Sequence, residues 1–125
     1  EVIMPRLRSD LLDLLDGVAT KTLSERDVEI DPRTAVTVMM VSGGYPDKYQ
    51  KGKRIYGLNA PSDSIVFHAG TASDGPAVLT SGGRVLAVTA MGKDVESARN
   101  VVYDNIKNIE FDKAYYRKDI GKDLL

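Results

Sequence analysis

The sequence contains no cysteine and a single histidine, His68. It therefore has neither disulfide bonds nor a metal site built from thiolates or several imidazoles. Its 17 basic residues nearly balance its 18 acidic residues, so no overall field attracts nucleic acid or an anionic membrane. No apolar run approaches the roughly 20 residues of a membrane span. We therefore expect a cytoplasmic protein that binds neither nucleic acid nor membrane.

The remaining composition is typical of one globular domain. A chain of 125 residues that is 42% hydrophobic can bury a core without covalent cross-links. The chain starts at Glu1, in the middle of a hydrophobic pattern. We therefore expect a piece of a longer or processed protein.

Helical spacing of leucines predicts a first helix over residues 10–18, with Ser9 as its N-cap. Gly17 should weaken its far end. A second helix is predicted from Asp94 to about residue 108, because apolar residues recur there on one face. The polar residues 20–26 between the first helix and the strands are predicted to be a connector and the main boundary of the chain.

Between the helices, β-branched and apolar runs predict strands. Residues 35–41 form the longest such run and should be buried on both faces, and residues 64–69 form another. We predict a loop over residues 70–76 and a hairpin of residues 77–80 with 84–91. The fold class is α+β, with one helix packed on a small, mostly antiparallel sheet.

The loop Ser42-Gly43-Gly44-Tyr45-Pro46 has two interpretations. Glycines let backbone N–H groups approach an anion, but no helical pattern follows, so neither a dinucleotide fingerprint nor a Walker A loop fits. The alternative is a turn that ends a strand. The cations that follow are interpreted as mostly solvated surface; they are Lys48, Lys51, Lys53 and Arg54.

Two further residues could contact an anion. Arg84 follows two glycines and opens an apolar strand, so its guanidinium either grips a phosphate or carboxylate or lies in solvent. His68 is either a hydrogen-bonded packing residue or a neutral donor beside a bound anion. No pair of carboxylates has the arrangement of an acid/base couple. The sequence pattern alone therefore predicts a compact α+β domain and no particular function.

Five segments, in order, resemble the C-terminal part of the phosphoribosylamine–glycine ligase family, also called glycinamide ribonucleotide synthetases. They span nearly the whole chain: MPRLRSDLLDLL (4–15), AVTVMMVSGGYPDKYQKGKRIYGL (35–58), VFHAGT (66–71), TSGGRVLAVTAMG (80–92) and YYRKDIG (115–121).

This resemblance implies an ATP-grasp ligase of purine biosynthesis that joins glycine to 5-phosphoribosylamine with ATP and Mg²⁺ or Mn²⁺. Residues 1–26 would be the helical C-terminal end of the ATP-grasp domain and a linker. Residues 27–125 would be the C-terminal domain that closes over the substrate. The ligands of ATP and metal are implied to lie upstream of Glu1, so the chain alone should bind no cofactor, hold no catalytic residue and be inactive.

The resemblance also implies a substrate site. Arg84 would grip the 5′-phosphate of phosphoribosylamine. His68, Gly70 and Thr71 would line the same pocket through backbone N–H groups and the Thr71 hydroxyl. The partners would be the small-molecule substrates and the rest of the same polypeptide. The alternative is a free-standing α+β binding or interaction module without catalytic activity.

Overall fold

The computed structural model describes all 125 residues and contains three α-helices and six strands. No helix in it has the length and apolar character needed to cross a membrane. In chain order the elements are α1 (Ile3–Arg6), α2 (Leu11–Thr20), β1 (Thr34–Val41), β2 (Arg54–Ile55), β3 (Ser64–His68), β4 (Thr71–Asp74), β5 (Ala77–Thr80), β6 (Arg84–Gly92) and α3 (Val95–Ile106).

The strands form two antiparallel sheets of three strands each. The first has the order β1-β6-β3, and the second has the order β2-β5-β4. The predicted α+β class is confirmed, but the prediction of one sheet is wrong. The chain passes between the sheets four times, through residues 42–53, 56–63, 69–70 and 81–83.

The predicted hairpin between β5 and β6 is wrong as well. β5 pairs with β4, which lies within the segment predicted to be a loop. Asp74 and Ala77 are direct partners, so Gly75-Pro76 is a two-residue turn in which Gly75 has a φ of 57°. Such turns favour glycine at their first position. The Gly82-Gly83 segment is a crossing between sheets, because its backbone bonds to other loops and not across a hairpin.

β6 is the central strand of the first sheet and is covered on both faces. Residues 85–90 are all buried. β1 lies at the sheet edge, where only Val36, Val38 and Met40 are buried and the alternate residues are half-buried. The prediction that this strand is buried on both faces is therefore wrong, since burial on both faces belongs to β6.

Helix α3 covers one face of the first sheet. As predicted, Asp94 is its N-cap: its side chain accepts a hydrogen bond from the Ser97 N–H at 2.8 Å, and the Ser97 side chain bonds back to the Asp94 N–H. The helical face carries Ala98, Val102 and Ile106, which are at most 1% exposed. They pack against the inward side chains of β1 and β6 and form the core.

The first helix differs from the prediction at both ends. Its N-cap is Asp10, whose carboxylate accepts from the Leu12 and Asp13 N–H groups, while Ser9 bonds to the backbone of Asp27 and Glu29. The helix continues past Gly17 to Thr20. Gly17 is buried because the following 3₁₀ turn packs against it.

An ion pair lies where the N-terminal segment meets the strands. Asp31 is buried at 7% exposure and accepts hydrogen bonds from the guanidinium and the backbone N–H of Arg33, with the shortest at 2.8 Å. Its backbone exchanges hydrogen bonds with Arg6. The hydrogen bonds from Arg33 hold the pKa of Asp31 well below its ordinary value. These contacts join residues on both sides of position 26, and a domain boundary at that position stays a prediction.

Replacing Asp31 should make the free energy of unfolding vary less with pH in the acid range. A carboxyl group whose folded-state pKa is depressed stabilises the protein above its unfolded pKa of about 3.9, and this stabilisation is lost as the pH falls further. Asp31→Asn should therefore lower the urea midpoint near neutral pH, and the gap to the parent should close below about pH 4. Asp47→Asn, an exposed aspartate without an ion pair, is the control. Identical pH profiles for both variants would contradict this role.

Candidate functional site

Three glycine-containing loops meet at one end of the first sheet. Ser42, just after β1, donates its N–H to the Gly83 carbonyl at 2.8 Å and its hydroxyl to the Gly82 carbonyl at 2.9 Å. Gly70, between β3 and β4, bonds to the same 81–84 segment. The ends of β1 and β3 and the start of β6 therefore share one corner of the molecule.

Gly70 packs directly against the backbone of the 81–84 segment. Its N–H donates to the Arg84 carbonyl at 2.8 Å, and its carbonyl accepts from the Ser81 and Gly82 N–H groups at 2.7 and 3.1 Å. A Cβ atom at Gly70 would lie 2.5 Å from the Arg84 carbonyl oxygen and 2.7 Å from the Gly82 Cα. Only glycine fits here without a backbone shift.

The structure brings the four predicted site residues together. His68 ends β3, Thr71 begins β4, and the His68 Nδ1 lies 3.0 Å from the Thr71 hydroxyl. Arg84 begins β6, two residues before Leu86, the direct partner of His68. Such diagonal neighbours are typically about 7–8 Å apart, within reach of a long side chain. His68 and Arg84 are both exposed, so the site is an open surface in this chain.

One part of the predicted site is wrong. We expected backbone N–H groups of residues 68–71 to face a ligand. However, the Ala69 N–H donates to the Val85 carbonyl at 3.0 Å, and the Gly70 N–H donates to Arg84. Both groups are used within the protein, so neither is available to a ligand. Gly70 then has a steric role, and the side chains available are those of His68, Thr71 and Arg84.

Sequence reasoning singled out the loop that contains Ser42 and Tyr45 but missed the contacts of both residues with the 82–83 segment. Ser42 fixes the 82–83 segment through the two hydrogen bonds described above, and the ring of Tyr45 occupies the space where a side chain on Gly83 would be. Gly44 has a φ of 95°, a left-handed conformation that favours glycine. The only signal in the sequence was that both Gly-Gly pairs fall within the segments that carry the family resemblance.

The arrangement suits an anion better than a metal. No carboxylate lies within ion-pair distance of Arg84, so its charge is free. A guanidinium can hold a phosphate or carboxylate through two parallel hydrogen bonds. The structure has no group of three or more histidine, aspartate or glutamate side chains that could bind a metal ion.

Comparison with protein families gives one match, to "Phosphoribosylglycinamide synthetase, C domain", over residues 35–123. The chain belongs to this family. The resemblance predicted from the sequence is therefore confirmed. The family match contains all four predicted site residues but not residues 1–34. The assignment of residues 1–26 to the end of an ATP-grasp domain is thus not shown.

Curated relatives cover more of the chain. It is 44% identical over 122 residues to a phosphoribosylamine–glycine ligase of Rhizobium meliloti and 45% identical over 121 residues to one of Pseudomonas aeruginosa. These alignments cover 97% and 95% of this chain but only 29% and 28% of the relatives. The chain therefore spans under a third of the length of the relatives that it matches.

A solved structure supports the fold. The crystal structure of phosphoribosylamine–glycine ligase from Thermotoga maritima matches with a TM-score of 0.67 and 31% identity. The match covers 85% of this chain and 27% of that one. The family's C domain and the two-sheet architecture described above therefore agree.

Gly70→Ala should destabilise the fold by about 1–3 kcal/mol, because the added methyl group meets backbone atoms that cannot rotate away. Urea unfolding followed by circular dichroism measures the change. Ser73→Ala, on the exposed β4, is the control and should stay within about 0.5 kcal/mol of the parent. Equal stability of the two variants would show that the backbone around Gly70 can shift at little cost in free energy.

Proposed function

We propose that this chain is the C-terminal part of a phosphoribosylamine–glycine ligase, which joins glycine to 5-phosphoribosylamine in purine biosynthesis. The observation that supports this most is the family match, together with curated relatives of that name that align over nearly the whole chain. The activity belongs to the longer protein, and this chain alone should be inactive. The cytoplasmic location expected from the sequence is part of the same proposal.

Within that protein, the Arg84 corner holds the 5′-phosphate of phosphoribosylamine. Arg84 supplies the charged hydrogen bonds, and the His68–Thr71 pair adds hydrogen-bonding groups at its side. β6 fixes the position of Arg84 because its next six residues are buried. A charged donor held on a rigid strand binds an anion without reorganising, which is what a substrate clamp requires.

ATP and its divalent metal are proposed to lie outside this chain. Metal ions of this kind prefer carboxylate oxygens, and the structure offers no cluster of them. We infer that the rest of the longer protein holds ATP and Mg²⁺ or Mn²⁺. The role of this chain is then to position the substrate phosphate.

This chain also offers an apolar surface on which the rest of the same polypeptide can pack. Apolar side chains of the N-terminal segment are exposed, including Ile3 at 77%, Leu12 at 76% and Leu15 at 55%. Exposed apolar surface grouped in one segment is typical of an interface. We propose that these residues contact the missing part of the longer protein. The free-standing module is disfavoured instead by the curated relatives, because each of them is a ligase that extends well beyond the part matched by this chain.

Arg84→Ala in the longer enzyme should raise the KM for phosphoribosylamine about tenfold to a hundredfold, because a charged hydrogen bond to the phosphate is lost. The KM for ATP should stay unchanged. Lys93→Ala removes an exposed cation next to the other end of the same strand and should leave both constants unchanged. An unaltered KM for phosphoribosylamine in Arg84→Ala would remove Arg84 from the site.

Leu12→Ala tests the proposed packing surface. In this chain the side chain is 76% exposed, so the substitution should change the free energy of unfolding by less than about 0.5 kcal/mol. In the longer protein the same substitution should cost about 2–5 kcal/mol, because it would empty a buried contact. Urea unfolding of both proteins measures the two values. A small effect in both would mean that this surface stays exposed.

A further inference from the structure

We propose that a cavity beside the Gly43-Gly44 turn binds phosphate-class anions at a second site, separate from the Arg84 corner. The cavity has a volume of about 290 Å³, and Gly43 forms part of its wall. The other residues that line it are Lys48, Tyr49, Gln50, Lys53, Asp112 and Lys113. Three of these side chains are cationic and one is anionic. The inference does not rest on the proposed function.

The two glycines hold the backbones of two of these lysines close to the turn. A Cβ atom at Gly43 would lie 2.6 Å from both the Cβ and the carbonyl oxygen of Lys113. A Cβ atom at Gly44 would overlap the carbonyl oxygen of Lys48. Because both positions lack a side chain, residues far apart in sequence meet around one cavity. The Gly43-Gly44 pair therefore turns the chain after β1 and also makes room for the backbones of Lys48 and Lys113.

Lys113 has an unusual backbone conformation in this wall. Its φ of 58° is left-handed, which is unfavourable for a residue with a Cβ atom. Residues held in such conformations are frequent at binding sites, where surrounding contacts keep them in place. Here the contact with Gly43 supplies that constraint and keeps Lys113 at the cavity.

The charges in the cavity do not cancel. Lys53 pairs with Asp112 at 3.0 Å. Neither Lys48 nor Lys113 has a carboxylate within ion-pair distance, so the cavity carries an excess of two positive charges. Tyr49 and Gln50 add neutral hydrogen-bond donors. Lysine side chains that line one cavity can supply the positive charge that a phosphate or diphosphate group requires.

The size and charge of the site favour a small ligand. A volume of about 290 Å³ lies at the lower end of the range for small-molecule pockets. The whole chain has a net charge of −1, so it offers no extended field for a nucleic acid backbone. The ligand class is therefore a free phosphate or diphosphate ion, or a small phosphate ester.

Amide NMR of the 125-residue chain tests this proposal. Inorganic phosphate, inorganic pyrophosphate and ribose 5-phosphate are titrated separately at constant ionic strength. At least one should shift the signals of residues 43–53 and 112–113 saturably. A response to the two inorganic ions alone identifies free phosphate as the ligand, and a stronger response to ribose 5-phosphate identifies a phosphate ester.

Substitutions of the cationic and anionic lining residues should change the affinity in opposite directions. Lys48→Gln and Lys113→Asn should each weaken binding about fivefold, because each removes one unpaired cation. Asparagine tolerates the left-handed conformation, so the second change removes charge without adding strain. Asp112→Asn should tighten binding by a similar factor, since it removes the competing carboxylate and frees Lys53.

Lys21→Asn is the matched control. Lys21 also has a left-handed backbone, with a φ of 60°, but it caps the end of α2 and does not line the cavity. It should bind like the parent. The proposal is overturned if no probe shifts residues 43–53, if Asp112→Asn weakens binding, or if Lys21→Asn reduces the affinity as much as Lys113→Asn.

Discussion

The backbone of Gly70 lies against the backbones of Gly82 and Arg84 with no space for a side chain between them. Its three hydrogen bonds join the point where the chain leaves the first sheet after β3 to the point where it returns before β6. This contact therefore fixes two of the four crossings between the sheets. His68, Thr71 and Arg84 all lie at these crossings, so the geometry of the candidate site follows from the same contact.

The strand that follows this contact provides the rigid support. β6 is bonded to β1 on one side and to β3 on the other, and residues 85–90 are all buried, with helix α3 packed on one face of the sheet. The strand begins at the surface with an arginine that has no carboxylate partner. A cation placed in this way is available to a ligand, and its backbone has little freedom to move away. This is the combination expected of a group that positions a substrate phosphate for chemistry carried out elsewhere in a longer protein.

The Gly43-Gly44 turn separates two regions of positive charge. On one side, Ser42 and Tyr45 contact the Gly82-Gly83 segment next to Arg84. On the other side, the glycines make room for the backbones of Lys48 and Lys113. The same loop thus contributes to two places. One is the Arg84 corner, which the family resemblance implies as the substrate site, and the other is the cavity lined by Lys48, Lys53 and Lys113. The two regions can be tested separately because their cations lie on different segments.

The sequence by itself determined the α+β class, the main strands, the second helix with its Asp94 cap, and the family, because these depend on local periodicity, capping chemistry and short motifs. It did not determine which strands pair. β5 and β6 are separated by a glycine turn that fits a hairpin, and only the hydrogen bonds of Gly70 and Ser42 direct that turn between the sheets. It also could not show that the Ala69 and Gly70 N–H groups are used internally, or that Lys113 joins Lys48 and Lys53. Those facts depend on contacts between residues distant in sequence, which only the packed tertiary structure creates.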